Sequence, residues 1–85
     1  MEGSRVMWWL YIKIEENEDR FVYLYSRESK EPDGEIVYDR KKEEWEVTRP
    51  CLKDFNSPFN IDAAERKFWH VVEEGFPDRR MVAIG

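Results

Sequence analysis

The segment VMWWLYIKIEENEDRFVYLYSR, residues 6–27, decides the fold of this chain because it sets two apolar, aromatic-rich stretches on either side of a charged run. In the first stretch, apolar residues from Trp8 to Ile14 hold the even positions, and the odd positions hold Trp9, Tyr11 and Lys13. Alternation with a period of two is typical of a β-strand that has two different faces. The segment is therefore predicted to form a β-hairpin with one aliphatic and one aromatic face.

The register of this hairpin follows from keeping the two faces apart. A turn centred on Asn17 keeps the aliphatic and the aromatic residues on separate faces. It gives the pairs Leu10 with Leu24, Ile12 with Val22, Trp9 with Tyr25, Tyr11 with Tyr23 and Lys13 with Phe21. A slip of one residue would mix the faces. Each opposed aromatic pair adds about 0.2–1 kcal/mol relative to alanine, which also favours the segregated register.

A second hairpin is predicted after the turn Glu31-Pro32-Asp33-Gly34, because proline sets φ at the second position and glycine can adopt a positive φ after the aspartate. Residues 35–40 and 45–48 both alternate, and closing them through Lys41-Lys42 gives the pairs Tyr38 with Trp45 and Ile36 with Val47. Lys-Lys is poor turn chemistry, so a longer, bulged loop remains an alternative. Pro50 ends the fourth strand, since proline removes a hydrogen-bond donor.

Residues 60–74 are predicted to form a helix that begins at the capping residue Asn60 and ends before Gly75. Ile61, Ala64, Phe68, Val71 and Val72 form its apolar stripe. Phe55 and Phe59, in the preceding loop, are expected to fold inward. The continuous apolar run 81–84 predicts a fifth strand that is buried on both sides and lies beside the first.

These elements predict a single α+β domain over residues 1–85, in the order ββββαβ. Four strands form an antiparallel meander, the helix covers the aliphatic face of the sheet, and a short strand follows at the C-terminus. A chain of this length buries only about 60–65% of its unfolded surface, so its stability depends on a few large side chains.

The charge balance restricts the partners that the chain can bind. The net charge is −5, and residues 1–48 hold eight Lys/Arg against thirteen Asp/Glu, whereas residues 49–85 hold six of each. Nucleic-acid binding is not expected, because it depends on a basic patch. A membrane-spanning segment and a secretory signal are not expected either, and a lone cysteine fits a reducing cytoplasm.

Cys51 and His70 are the only residues of their kinds, and no motif ties either of them to a reaction. An inert thiol is the favoured interpretation of Cys51. The acidic run 15–19 lacks the spacing of a calcium loop, and one cysteine with one histidine is a poor zinc ligand set. We expect no metal and no cofactor.

The aromatic face is the predicted binding surface, because tryptophan and tyrosine are enriched at interface hot spots. Its predicted partner-binding residues are Trp9, Tyr11, Lys13, Tyr23 and Tyr25. The favoured function is a non-catalytic protein–protein interaction module or a homodimer. One alternative is an enzyme or enzyme subunit that uses Cys51 or His70, and another is an acidic mimic of nucleic acid. A third alternative is that the chain itself covers these aromatic residues.

Overall fold

Alternating strands and one amphipathic helical segment give a five-stranded antiparallel sheet with its helices on one face. The computed structural model describes residues 7–54 and 57–84. The strands are β1 (Met7–Glu16), β2 (Arg20–Arg27), β3 (Gly34–Asp39), β4 (Glu44–Arg49) and β5 (Arg79–Ile84), in the spatial order β4-β3-β2-β1-β5. A 3₁₀ helix (Leu52–Asp54), α1 (Pro58–Lys67) and α2 (Trp69–Glu73) separate β4 from β5. The predicted α+β class and ββββαβ order are confirmed.

The first hairpin closes through an asparagine turn. The side-chain Oδ1 of Asn17 accepts hydrogen bonds from the backbone N–H groups of Asp19 at 2.8 Å and Arg20 at 2.9 Å. These bonds stabilise a turn that contains no glycine. This turn is centred later than predicted, and β1 contains a bulge between Lys13 and Glu15, before the turn. The observed pairs are Trp9 with Arg27, Tyr11 with Tyr25, Ile12 with Leu24 and Lys13 with Tyr23. The predicted pairs are wrong by two residues. A shift of two preserves the separation of the faces.

The second hairpin has the predicted pairs, Tyr38 with Trp45 and Ile36 with Val47. Its turn is closed by Asp39, whose Oδ1 accepts the N–H groups of Lys42 at 3.1 Å and Lys41 at 2.9 Å. These bonds stabilise the carboxylate, and the N–H of Lys42 contributes most to holding the pKa of Asp39 below its ordinary value. The carboxylate of Asp39 thus stabilises a turn that the residues Lys41-Lys42 do not favour by themselves.

The helices pack on the aromatic face of the sheet, so the prediction that they cover the aliphatic face is wrong. Phe68, between α1 and α2, sets its ring edge-on to Tyr11 at 5.5 Å and to Tyr23 at 5.2 Å between ring centroids. The reason lies in the neighbouring strands. The aromatic face continues across β3 and β4 through Ile36, Tyr38, Trp45 and Val47, whereas Leu24 on the other face stands beside Glu35.

The helical segment follows its predicted stripe but not its predicted start. Ala64, Phe68 and Val71 are fully buried. The first helix begins at Pro58, so Asn60 lies inside it and is not the cap. Gly75 follows the last turn with φ of 81°, a left-handed conformation that glycine adopts without strain.

Two predictions about burial are wrong, one for Phe59 and one for β5. Phe59 lies in the first turn of α1 and is 74% exposed, while Phe55 lies outside the described residues. β5 does lie beside β1, as predicted, and Val82 is buried against the helical layer. Met81, on the opposite face, is 43% exposed, so β5 is not buried on both sides.

Replacing Phe68 with alanine should lower the free energy of unfolding by about 3–5 kcal/mol, because it leaves a cavity between three aromatic rings of the sheet, those of Tyr11, Tyr23 and Trp45. Phe59→Ala removes the same side chain from an exposed position and should change it by no more than about 0.5 kcal/mol. Chemical denaturation measures both. Equal losses in the two variants would contradict the packing described here.

Candidate functional site

Four of the five residues predicted to bind a partner lie in the core of the protein. Trp9 is 2% exposed, and Tyr11, Tyr23 and Tyr25 are fully buried by the chain's own helical layer. The expectation that these four side chains form an open surface is therefore wrong, and a partner can contact them only if the fold opens.

Three of the four tyrosines in the core have a hydrogen-bond acceptor for their hydroxyl group. Tyr11 donates to the carbonyl oxygen of Ala64 at 2.7 Å, Tyr23 to that of Pro77 at 2.6 Å, and Tyr25 to Oδ2 of Asp54 at 2.5 Å. Burial is the main cause that raises the pKa of all three phenols above their ordinary value. These bonds let polar side chains occupy a core without leaving a hydroxyl unsatisfied.

Lys13 lies at the end of this core and does not border a binding surface. Its Nζ donates to the carbonyl oxygen of Phe76 at 3.0 Å and lies 2.5 Å from Oε1 of Glu16 and 3.4 Å from Oδ1 of Asp78. The hydrogen bond to Glu16 contributes most to raising the pKa of Lys13. The ammonium group also lies 5.5 Å from the ring centroid of Phe21, so its role is structural.

The opposite face of the sheet has no second layer among the described residues. We call it the open face, and on β1, β2 and β5 it carries a group of mainly apolar side chains. Ile14 is 54% exposed and Met81 43% exposed, and Trp8, Ile12 and Leu24 are half-buried. Leu10, between Ser26 and Met81 on the neighbouring strands, is fully buried.

This apolar group forms a strip, whereas β3 and β4 carry mainly carboxylates on the open face, together with Val37. We call Trp8, Leu10, Ile12, Ile14, Leu24 and Met81 the apolar strip. We call Glu35, Asp39, Glu44 and Glu46, on β3 and β4, the acidic half. Antiparallel sheets with one free face usually carry polar residues on it. An apolar strip on such a face is the pattern of an interaction surface.

The negative charge of this region is interrupted by cations. Nε of Arg20 lies 2.9 Å from Oε2 of Glu15, and Nζ of Lys41 lies 3.4 Å from Oδ1 of Asp19. A depression of about 490 Å³ next to the acidic half is lined by Arg20 and Lys42 as well as by carboxylates. The face is therefore acidic overall without being continuously negative.

Cys51 and His70 have different neighbours in the structure. The thiol of Cys51 is buried, and burial followed by the nearby Asp54 carboxylate raises its pKa, which disfavours the reactive thiolate. The imidazole of His70 stacks on Trp69 with ring centroids 4.3 Å apart. A shallow depression of about 200 Å³ next to Cys51 is lined by side chains that do not include His70.

The described residues contain neither a cluster of metal ligands nor a membrane-spanning helix. No group of three or more His, Cys, Asp or Glu side chains in residues 7–54 and 57–84 is arranged to hold a metal ion. Within the same ranges, no helix is long and apolar enough to cross a membrane. Comparisons with known protein families, curated proteins and solved structures find no match for the chain.

The open face was missed at the sequence level because its aliphatic side chains resemble those of a core. A signal was present in the second hairpin. Ile36, Tyr38, Trp45 and Val47 share the face of the tyrosines, whereas the aliphatic face meets Glu35 and Glu46. Only the aromatic face is apolar across four strands.

The four tyrosines of the chain, Tyr11, Tyr23, Tyr25 and Tyr38, should ionise only when the protein unfolds at alkaline pH. Burial raises the pKa of each, including Tyr38, above the unfolded value of about 10. Because the folded state favours the neutral phenols, their contribution to stability is complete below that pH and decreases as the pH rises through it. Tyrosinate absorbance and circular dichroism measure the two processes, with the denatured chain as control. Ionisation near pH 10 with the fold intact would contradict this prediction.

Proposed function

We propose that this chain is a non-catalytic protein-binding module of the cytoplasm and that it binds its partner through the apolar strip of the open face. The observation that supports the proposal is the combination of Ile14, Met81 and the half-buried Trp8 on a sheet face without a second layer among the described residues. Exposed apolar patches of this kind mark interaction sites in soluble proteins. The buried lone thiol of Cys51 is compatible with a reducing compartment.

The dimensions of the apolar strip favour an amphipathic helix as the occupant. Its three strands, at a spacing of about 4.8 Å, span about 10 Å, and the six residue steps from Trp8 to Ile14 span about 20 Å. A helix with its side chains is about 10 Å wide, and three to four turns cover about 20 Å. The sheet already packs against α1 and α2 on its other face, so a bound helix would complete a three-layer arrangement.

The charge beside the strip favours a basic partner. Glu44 and Glu46 are exposed, and Glu35 and Asp39 are half-buried next to them. A helix whose apolar stripe is bordered by Lys or Arg would place its cations over these carboxylates. Complementary charge of this kind raises the association rate and fixes the orientation of the partner.

A synthetic amphipathic peptide tests this proposal. We expect a helix with a leucine stripe and lysine borders to bind the wild-type chain about tenfold or more tightly than the same peptide with glutamate borders. Ile12→Ser should weaken binding of the lysine peptide by about tenfold, because it removes apolar area from the centre of the strip. Calorimetric titration measures all of these affinities.

Leu52→Ser is the matched control, since Leu52 is an exposed aliphatic residue on the 3₁₀ helix, outside the strip. It should leave the affinity unchanged. Equal binding of the two peptides would refute the charge argument. An equal loss in Leu52→Ser and Ile12→Ser would refute the site. Absence of peptide binding, with conversion of a dimer to a monomer by Ile12→Ser, would show that a second copy occupies the strip.

A further inference from the structure

The outer edge of β5 carries peptide groups that pair with no other strand in the described part of the chain. β5 pairs with β1 in a register that sets Tyr11 opposite Arg80 and Trp9 opposite Val82. The N–H of Lys13 donates to the carbonyl oxygen of Asp78 at 2.8 Å in the same register. Antiparallel pairs alternate between bonded and non-bonded positions, so Arg80 and Val82 bond to β1. The N–H and C=O groups of Arg79, Met81 and Ala83 therefore point outward.

Only one of these outward groups has a partner among the described residues, and it lies within the same strand. The guanidinium of Arg80 donates to the carbonyl oxygen of Met81. Arg80 itself pairs with Glu74, its Nη2 lying 2.8 Å from Oε2. The side chains along the strand are apolar after Arg80, with Met81 and Ala83 exposed on the open face. Within residues 7–54 and 57–84, the edge of β5 is thus apolar from Met81 onward, and its other outward donors and acceptors have no partner.

The other edge of the sheet, β4, is covered in part by the helical layer. The outward N–H of Val47 in β4 donates to Oε2 of Glu65 in α1 at 2.8 Å, and Nε1 of Trp45 donates to the carbonyl oxygen of Glu65 at 2.7 Å. A carboxylate placed against an edge is one way in which proteins prevent further strands from adding. No carboxylate of the described residues accepts from the outward N–H groups of β5 in this way.

We propose that two copies of the chain associate by antiparallel pairing of β5 with β5 of the other copy, so that one sheet runs through both. The twofold axis passes beside Met81, which pairs with Met81 of the second copy, and Arg79 pairs with Ala83. Each outward residue then exchanges both of its backbone bonds. The proposal rests on this edge and is independent of what binds the apolar strip.

This register is the one that the side chains favour. A twofold axis beside Arg79 would set two arginines directly opposite each other, which is destabilising. An axis beside Ala83 would use only the last residues of the strand. The register centred on Met81 uses all three outward residues, separates the arginines, and brings the apolar Met81 and Ala83 of the two copies together. A self-complementary edge of this kind favours a second copy over an unrelated strand.

Cysteine cross-linking tests the register in a Cys51→Ser background. Met81→Cys should form a disulfide-linked dimer on mild oxidation, because a bonded antiparallel pair holds its Cα atoms about 5.5 Å apart, within the disulfide range. Ala83→Cys should not cross-link with itself but should cross-link with Arg79→Cys when the two variants are mixed. Self-linkage of Ala83→Cys without linkage of Met81→Cys would overturn the register, and pairing with another protein's strand would leave both unlinked.

Light scattering tests the association itself. The wild-type chain should have the mass of a dimer, and Met81→Pro should be a monomer with an unchanged circular dichroism spectrum, since proline is tolerated where the N–H faces solvent at an edge. Ile12→Ser, on the open face, should remain a dimer. A monomeric wild-type chain, or a Met81→Pro dimer, would refute the proposal. If Met81→Pro fails to fold, the cross-linking of Met81→Cys decides whether the two copies pair through β5.

Discussion

The hydrogen bonds of the buried tyrosines are the interaction on which this structure depends. Tyr11 and Tyr25 can lie under the helical layer because Ala64 and Asp54 supply acceptors for their hydroxyl groups. An unpaired buried hydroxyl costs about 1–3 kcal/mol, so the helical layer must be placed to within hydrogen-bond distance of the sheet. Phe68 then fills the space between Tyr11 and Tyr23. This requirement commits the aromatic face to the core and leaves the aliphatic face open.

Local periodicity in the sequence predicts most of the fold. The alternation in residues 6–27 predicts two strands with separate faces, and the stripe around Phe68 predicts a helix. The exact pairing in the first hairpin could not be predicted, because it depends on the side chain of Asn17 and on a bulge after Lys13. The choice of the buried face needs the registers of β3 and β4, where Tyr38 and Trp45 extend the aromatic surface. A single hairpin contains no such information, and leucine and isoleucine suggest the wrong face.

The same choice of face determines which surfaces are left for binding. With Trp9 and its aromatic neighbours in the core, the open face and the outer edge of β5 are the apolar surfaces that the sheet presents. They are adjacent, because Met81 contributes its side chain to the strip and its peptide group to the edge. Pairing of two copies through β5 would set two apolar strips side by side, with an acidic half on either flank. The proposed module would then bind two helices on one continuous sheet.

The adjacent residues Trp8 and Trp9 allow the most direct test of the central claim, which is that the aromatic face is the core. They are the same type of side chain on neighbouring positions of β1, yet Trp9 is buried under the helical layer and Trp8 lies half-buried on the open face. Chemical denaturation of Trp9→Ala should show a loss of about 3–5 kcal/mol in the free energy of unfolding, and Trp8→Ala should lose clearly less. A larger loss in Trp8→Ala would mean that the aliphatic face is the core and would contradict the account.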